Sequence, residues 1–287
     1  MSVTRAPPGV ASPEGPLLRP STRARHSSLV VLFHGLEGSS RSQYALNLMA
    51  AAQARGMRGV VVHFRGCGGD PNRLPRAYHS GDSAEIDWIL RRLKPAAAPL
   101  YAAGVSLGGN ALLKWLGETG DAAGTVVEAA AAVSAPMDLT ASGNALDRGF
   151  NLAYVRHFLA TMKAKSLVRL EHYPGLYDSA RVRAAGTLRE FDDCVTAPLH
   201  GFRDVNDYWT RASAKPWLKH IAVRTLVLNA RNDPFLPAGA LPSPGDASSA
   251  VTLEFPETGG HVAFVTGPFP GRLDWLPRRL LEFFGRA

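Results

Sequence analysis

The chain is poor in cysteine and in long apolar runs, and it has none of the common nucleotide-binding signatures. Cys67 and Cys194 are its two cysteines. They are too few for a disulfide framework, and nothing pairs them with metal-ligand spacing. No apolar run has the length of a membrane span; the most apolar stretch, Val126 to Met137, is short and interrupted by Glu128. Arg5 near the N-terminus has no apolar segment behind it, and Pro7, Pro8, Pro13, Glu14 and Pro16 argue against a secretory signal. The Gly66–Gly69 loop lacks the lysine and Ser/Thr of a P-loop, and no Gly-x-Gly-x-x-Gly opens a helix. No internal repeat is visible. These absences point to a cytoplasmic protein with no stable membrane insertion. The net charge is +8, but the basic residues are scattered and not interleaved with aromatics. They read as a solvated surface and not as a nucleic-acid-binding one.

With 287 residues, 46% of them hydrophobic, the chain can build one large α/β core. Residues 1–28, rich in Pro, Ser and Arg, read as a disordered or loosely attached arm. Leu29–Phe33 is a continuous apolar run, as in a parallel strand buried on both faces. A helix with Tyr44, Leu46, Leu48, Met49 and Ala52 follows, then a strand over Gly59–Phe64. Asp82 or Ser83 starts a helix whose buried stripe is Ile86, Ile89, Leu90 and Leu93. Further strands are expected before Ser106, over Val126–Ser134, Val223–Asn229 and Val251–Phe255, with a terminal helix through Leu276, Leu280, Leu281, Phe283 and Phe284. Alternating strand and helix predicts a doubly wound, mostly parallel sheet. Residues from about 139 to 217 break the rhythm and read as a helical lid insertion within a 29–287 domain. Phe150, Tyr154, Phe158 and Met162 fall at helical spacing there, as a stripe packed on the main domain or lining an acyl pocket.

Tyr101 to Asn110 carries the strongest local signal. A short apolar run leads into Gly104-Val105-Ser106-Leu107-Gly108, and a helical pattern follows. This is the sequence form of a nucleophile elbow, with Ser106 at the tip of a strained strand-to-helix turn. A glycine-rich chain also produces Gly-x-Ser-x-Gly by composition, so partners must be found. A serine hydroxyl needs a base within hydrogen-bond reach, and that base needs an acid to fix its tautomer. Asp233 and His261 each follow a predicted strand, at the end of the sheet where such groups gather, in the chain order Ser, Asp, His. Asp138 is the alternative acid. His34, at another strand end, reads as holding a loop whose Leu36 N–H would join that of Leu107 in an oxyanion hole. Cys67 reads as an inert thiol. Such chemistry requires neither metal nor organic cofactor.

Taken together, several motifs resemble the YheT-like α/β-hydrolases of the fourth AB-hydrolase family. They are His34-Gly35-Leu36-Glu37-Gly38, His63-Phe64-Arg65-Gly66-Cys67, Tyr78-His79-Ser80-Gly81, Gly104 to Asn110, Phe191-Asp192-Asp193, Asn232-Asp233-Pro234-Phe235 and Gly259-Gly260-His261. The resemblance implies an α/β-hydrolase fold, a Ser106–His261–Asp233 triad and hydrolysis of short- to medium-chain carboxylic esters. Acylglycerol-like small molecules are among the implied substrates. Two departures stand out. Only a short arm precedes Leu29, so the front strands are expected to be missing. Asn232 stands where an acidic residue is common. Acyl transfer to an alcohol, and a catalytically silent binding protein on the same scaffold, remain open readings, as does the oligomeric state.

Overall fold

A computed structural model describes residues 3–5, 27–70, 72–96 and 99–285. Its centre is a seven-stranded sheet in the order β1-β3-β2-β4-β5-β6-β7. The strands are β1 (Val3–Arg5), β2 (Leu29–Phe33), β3 (Arg58–Val62), β4 (Leu100–Val105), β5 (Ala129–Val133), β6 (Thr225–Leu228) and β7 (Val251–Glu254). All pairs are parallel except β1 with β3. The sequence reading leaves this front edge bare. One antiparallel strand occupies it, with Val3 opposite Val62 and Arg5 opposite Val60, inside the segment read as a loose arm. Residues 1–2 and 6–26 of that arm lie outside the described residues.

The central strands are apolar on both faces because both faces are covered. Val31 and Phe33 face one core with α2 (Ser83–Leu93) and α3 (Leu107–Thr119), whose Ile86, Ile89, Leu112 and Trp115 pack there. Val30 and Leu32 face the other, with α1 (Gln43–Ala54) and the terminal helix Trp275–Phe284. In α1 the buried positions are Ala45, Leu48, Met49 and Ala52; Leu46 points to solvent and leaves the expected stripe.

Between β5 and β6 the chain is helical: α4 (Leu139–Leu146), α5 (Leu152–His172), α6 (Ser179–Ala184), α7 (Leu188–Phe191), a π-helical turn (Asp192–Thr196), α8 (Ala197–Leu199) and α9 (Val205–Ala212). These helices build two small cores of their own, one around Val155, Leu159, Leu188 and Phe191, the other around Leu139, Tyr208 and Trp209. The expected stripe over Phe150, Tyr154, Phe158 and Met162 holds at Met162, which packs against the core around Val155 and Leu159 and lines a cavity, and fails at its start. Phe150 precedes α5 in a 3₁₀ turn and is 83% exposed, and Tyr154 is 45% exposed. The helix starts only at Leu152 and packs through Val155, Leu159 and Ser166, a face one position further along. The terminal helix is numbered α10.

Register fixes where the site can form. Phe33 pairs with Gly104, Val105 with Val133, and Val133 and Leu228 with Leu228 and Glu254. The carboxyl ends of β2, β4, β5, β6 and β7 therefore end in one row, with the order reversing between β2 and β4, where ligands bind in open α/β sheets.

Candidate active site

At the end of β4 the chain reverses into α3 within one residue. Ser106 takes φ 51° and ψ −120°, a conformation that persists only where its surroundings over-determine it. Its N–H donates to Val133 O (2.8 Å) and its carbonyl accepts from Asn110 N–H (3.1 Å). The flanking glycines are sterically required. A Cβ at Gly104 would lie 2.5 Å from Gly108 O, and one at Gly108 would lie 2.4 Å from Phe33 O.

Asp233 and His261 arrive from the ends of β6 and β7, beyond β5 in the sheet. His261 Nε2 is 3.0 Å from Ser106 Oγ and its Nδ1 is 2.7 Å from Asp233 Oδ2. In that geometry Nδ1–H donates to the carboxylate and Nε2 is left to accept the serine proton. The Asp233 side chain is fully buried, and its other oxygen accepts the Phe235 N–H (2.9 Å). The Phe235 ring lies 4.6 Å from the imidazole and meets Tyr154 of α5 at 5.0 Å. The histidine loop is held on both sides: Ser134 Oγ donates to His261 O, and Gly260 N–H donates to Asn232 Oδ1 (3.0 Å). Asn232 thus supplies the acceptor that an acidic side chain would. The alternative acid, Asp138, is turned to other work, capping α4 through Ala141 N–H (2.9 Å).

The loop after β2 lies against the elbow. Gly35 leaves room for Ser106, whose Cβ would lie 3.2 Å from a Cβ there. His34, fully buried, accepts Phe64 N–H at Nε2 (3.1 Å) and donates from Nδ1 to Gly35 O (2.7 Å). Burial pushes its pKa down to about 4, so it stays neutral and acts as a brace. Gly35 N–H donates to Tyr44 OH (2.9 Å) and Glu37 N–H to Tyr78 OH (3.0 Å), which pins the peptides on either side of Leu36. Tyr78 OH in turn donates to Glu37 Oε1 (2.8 Å), and Lys165 of α5 donates to Glu37 Oε2 (2.8 Å). The N–H of Leu107 belongs to the first turn of α3, whose donors have no partner within the helix.

A cavity of about 990 Å³, counting its mouth, opens from Ser106 and lies under α5. Leu36, Leu107 and Tyr78 line it, and Leu139, Met162, Phe191 and Trp209 add to its apolar wall. Asp192, on the π-helical turn, is the feature that residue-by-residue reading of the sequence missed. It lines the cavity, accepts from Thr196 Oγ1 (2.6 Å) and Trp209 Nε1 (2.9 Å), and burial pushes its pKa up to about 6. The Phe191-Asp192-Asp193 motif was visible, but nothing local said that it faced a cavity. Cys67 sits 3.7 Å from Lys165 Nζ, its thiol pushed up by burial. Among the described residues no group of three His, Cys, Asp or Glu side chains gathers as a metal site, and no helix is long and apolar enough to cross a membrane.

Residues 28–268 match the family model for the alpha/beta hydrolase fold. The chain is 42% identical to the YheT protein of Escherichia coli over 91% of its own length and 77% of that protein's. It is 31% identical to the phospholipase ABHD3 of Mus musculus over 88% of its length, spanning 62% of that longer protein. Among solved structures, Est1E from Butyrivibrio proteoclasticus with ferulic acid bound superposes with a TM-score of 0.58 at 14% identity, covering 92% of this chain and 91% of that one. That last likeness concerns the fold.

Proposed function

The chain belongs to the α/β-hydrolase family, in its YheT-like branch, and from that premise we propose that it is a serine esterase acting on carboxylic esters of short- to medium-chain acyl groups. The observation that carries the reading is the hydrogen-bonded chain from Ser106 through His261 to Asp233, with Ser106 lining a largely apolar cavity. Ser106 Oγ attacks the ester carbonyl while His261 Nε2 takes its proton, and Asp233 holds the imidazole and stabilises its cation. The N–H groups of Leu36 and Leu107 receive the oxyanion; losing one such donor typically costs about 10²–10³ in rate. His261 then returns the proton to the leaving alcohol. Water, activated by the same nitrogen, releases the acid. The helical segment 139–217 serves as the lid over the acyl site, and residues 29–287 form one catalytic domain. The ABHD3 relative, named a phospholipase, supports ester substrates with lipid-like acyl groups.

A panel of 4-nitrophenyl esters of rising chain length, with ethanol added, tests this. Turnover peaking at short to medium chains, with ethyl ester formed only in proportion to the ethanol present, is the expected result. Ethyl ester well above that share would make the protein an acyltransferase. No turnover by folded protein would make it a silent binding protein.

A further inference from the structure

The cavity that opens from Ser106 is lined by three basic side chains, Arg65, Lys165 and Arg169. Two of them are neutralised on the spot. Arg65 pairs with Glu85 (2.8 Å) and Lys165 with Glu37 (2.8 Å). Arg169 has no carboxylate within 4.0 Å among the described residues. Its one hydrogen bond there is a neutral one, from Nη1 to Tyr177 OH (3.3 Å). That hydroxyl donates onward to Ser166 O (2.9 Å), which aims its lone pairs at the guanidinium and orients it. Arg169 Nε is buried with no acceptor. A half-buried guanidinium, held in place but unpaired, normally finds a carboxylate or phosphate, whose geometry matches its fork of donors.

The acids of the cavity are engaged elsewhere. Both Glu37 oxygens are taken by Tyr78 and Lys165. Both Asp192 oxygens are taken by Thr196 and Trp209. His79, also on the wall, and His200 beside it are kept neutral by burial, pushed down to about 4 and about 3. Arg169 is therefore the cavity's open anion-binding group. It lines the same cavity as Ser106 and lies on α5 seven residues beyond Met162, roughly 10 Å further along the helix.

We propose that Arg169 binds an anionic group, carboxylate or phosphate, carried by the substrate away from its scissile ester. The preferred substrates are then anionic esters, either acyl groups ending in a carboxylate or alcohols bearing a phosphate. This rests on the esterase reading for its turnover readout only.

The test compares matched pairs. Mono-4-nitrophenyl adipate is set against the 4-nitrophenyl ester of adipamic acid, which replaces the carboxylate by an amide of the same shape. For the alcohol side, 1-lauroylglycerol 3-phosphate is set against 1-lauroylglycerol. A charge-assisted pair predicts kcat/KM roughly 10- to 100-fold higher for the anionic member of at least one pair. Which pair responds identifies the source of the anion. Arg169→Met brings that ratio to about one, Arg169→Lys keeps part of it, and Arg92→Met, at an exposed position of α2, leaves it as in wild type. A ratio near one in both wild-type pairs, or a ratio unmoved by Arg169→Met, overturns the proposal. Calorimetric binding of the two adipate-derived esters and the two lauroyl compounds to Ser106→Ala protein separates the two readings. Anion preference in binding without turnover by wild type sinks the esterase reading and keeps this one; turnover of neutral esters without any anion preference does the reverse.

Discussion

Gly108→Ala puts the architecture of the site to a sharp test. An added Cβ would meet Phe33 O at 2.4 Å and His34 O at 2.6 Å, both backbone atoms at the end of β2. An unstrained carbon–oxygen contact is about 3.3–3.6 Å, so α3 and β2 must part by roughly 1 Å. Neither side yields easily: Phe33 and His34 are both fully buried, and His34 is hydrogen-bonded at both ring nitrogens. Overpacking of this kind costs about 1–3 kcal/mol, which in a chain of this size lowers Tm by roughly 2–10 °C. The activity loss should be larger in proportion. The strand end that must move leads directly into Leu36, and the helix start that must move carries Leu107. A displacement of about 1 Å in the reacting geometry can cost about 10²-fold. Gly239→Ala is the control, since a Cβ there meets nothing within 4 Å. Thermal melts and kcat/KM on 4-nitrophenyl butyrate should show Gly239→Ala near wild type and Gly108→Ala folded but slowed by about 10²-fold or more. Near-wild-type turnover by folded Gly108→Ala would refute the steric account of the elbow and of its distance from the Leu36 loop.

Other outcomes follow from the same geometry. Asp233→Asn leaves the imidazole in the wrong tautomer and should lower kcat by about 10⁴; a loss below tenfold would move the acid role away from Asp233. His34, held near pH 4 against 6.5 in the unfolded chain, refuses a proton that the unfolded chain takes up. Its contribution is full above 6.5 and falls away as pH drops toward 4, by up to about 3 kcal/mol. The stability gap between wild type and His34→Gln should therefore narrow over that window in denaturant titrations, and a constant gap would contradict the neutral brace. Asp192 has the opposite sign: with its pKa raised to about 6, the folded protein keeps a proton that the unfolded chain has lost. Asp192→Asn should gain stability relative to wild type as pH rises from 4 to 6. Burial raises the Cys67 thiol, so alkylation by iodoacetamide at pH 7.5 should be slower than for a free thiol; faster labelling would mark it as reactive.

The parts of the fold legible in the sequence are those where local pattern and tertiary role coincide. Leu29–Phe33 is apolar at every position because both faces of β2 are covered, and the observed strand has the same ends. Gly104 and Gly108 were readable because each lies against backbone that leaves no room for a side chain. β1 escaped notice because three residues make no periodicity, and its pairing with β3 is a long-range event. The stripe held at Met162 and failed at its start because Phe150 and Tyr154 are large and apolar yet face outward, while the buried face depends on where the helix begins. The cavity wall was illegible for a similar reason. Asp192, Trp209 and Arg169 come from three separate helical elements, and only their packing makes one surface of them. Residue type alone does not sort His34, His79 and His200 from His261; its place after the last strand does, and in the structure His34 and His79 are hydrogen-bonded to backbone while His261 meets Ser106.

The central claim is that Ser106 is an activated nucleophile, with His261 as its base. Its most direct measurement is labelling of the purified protein by a fluorophosphonate probe, with the modified peptide mapped by mass spectrometry. The account predicts a single adduct on Ser106, absent in Ser106→Ala and strongly reduced in His261→Ala. Folded wild-type protein that takes no label, or an adduct on any other residue, would contradict it.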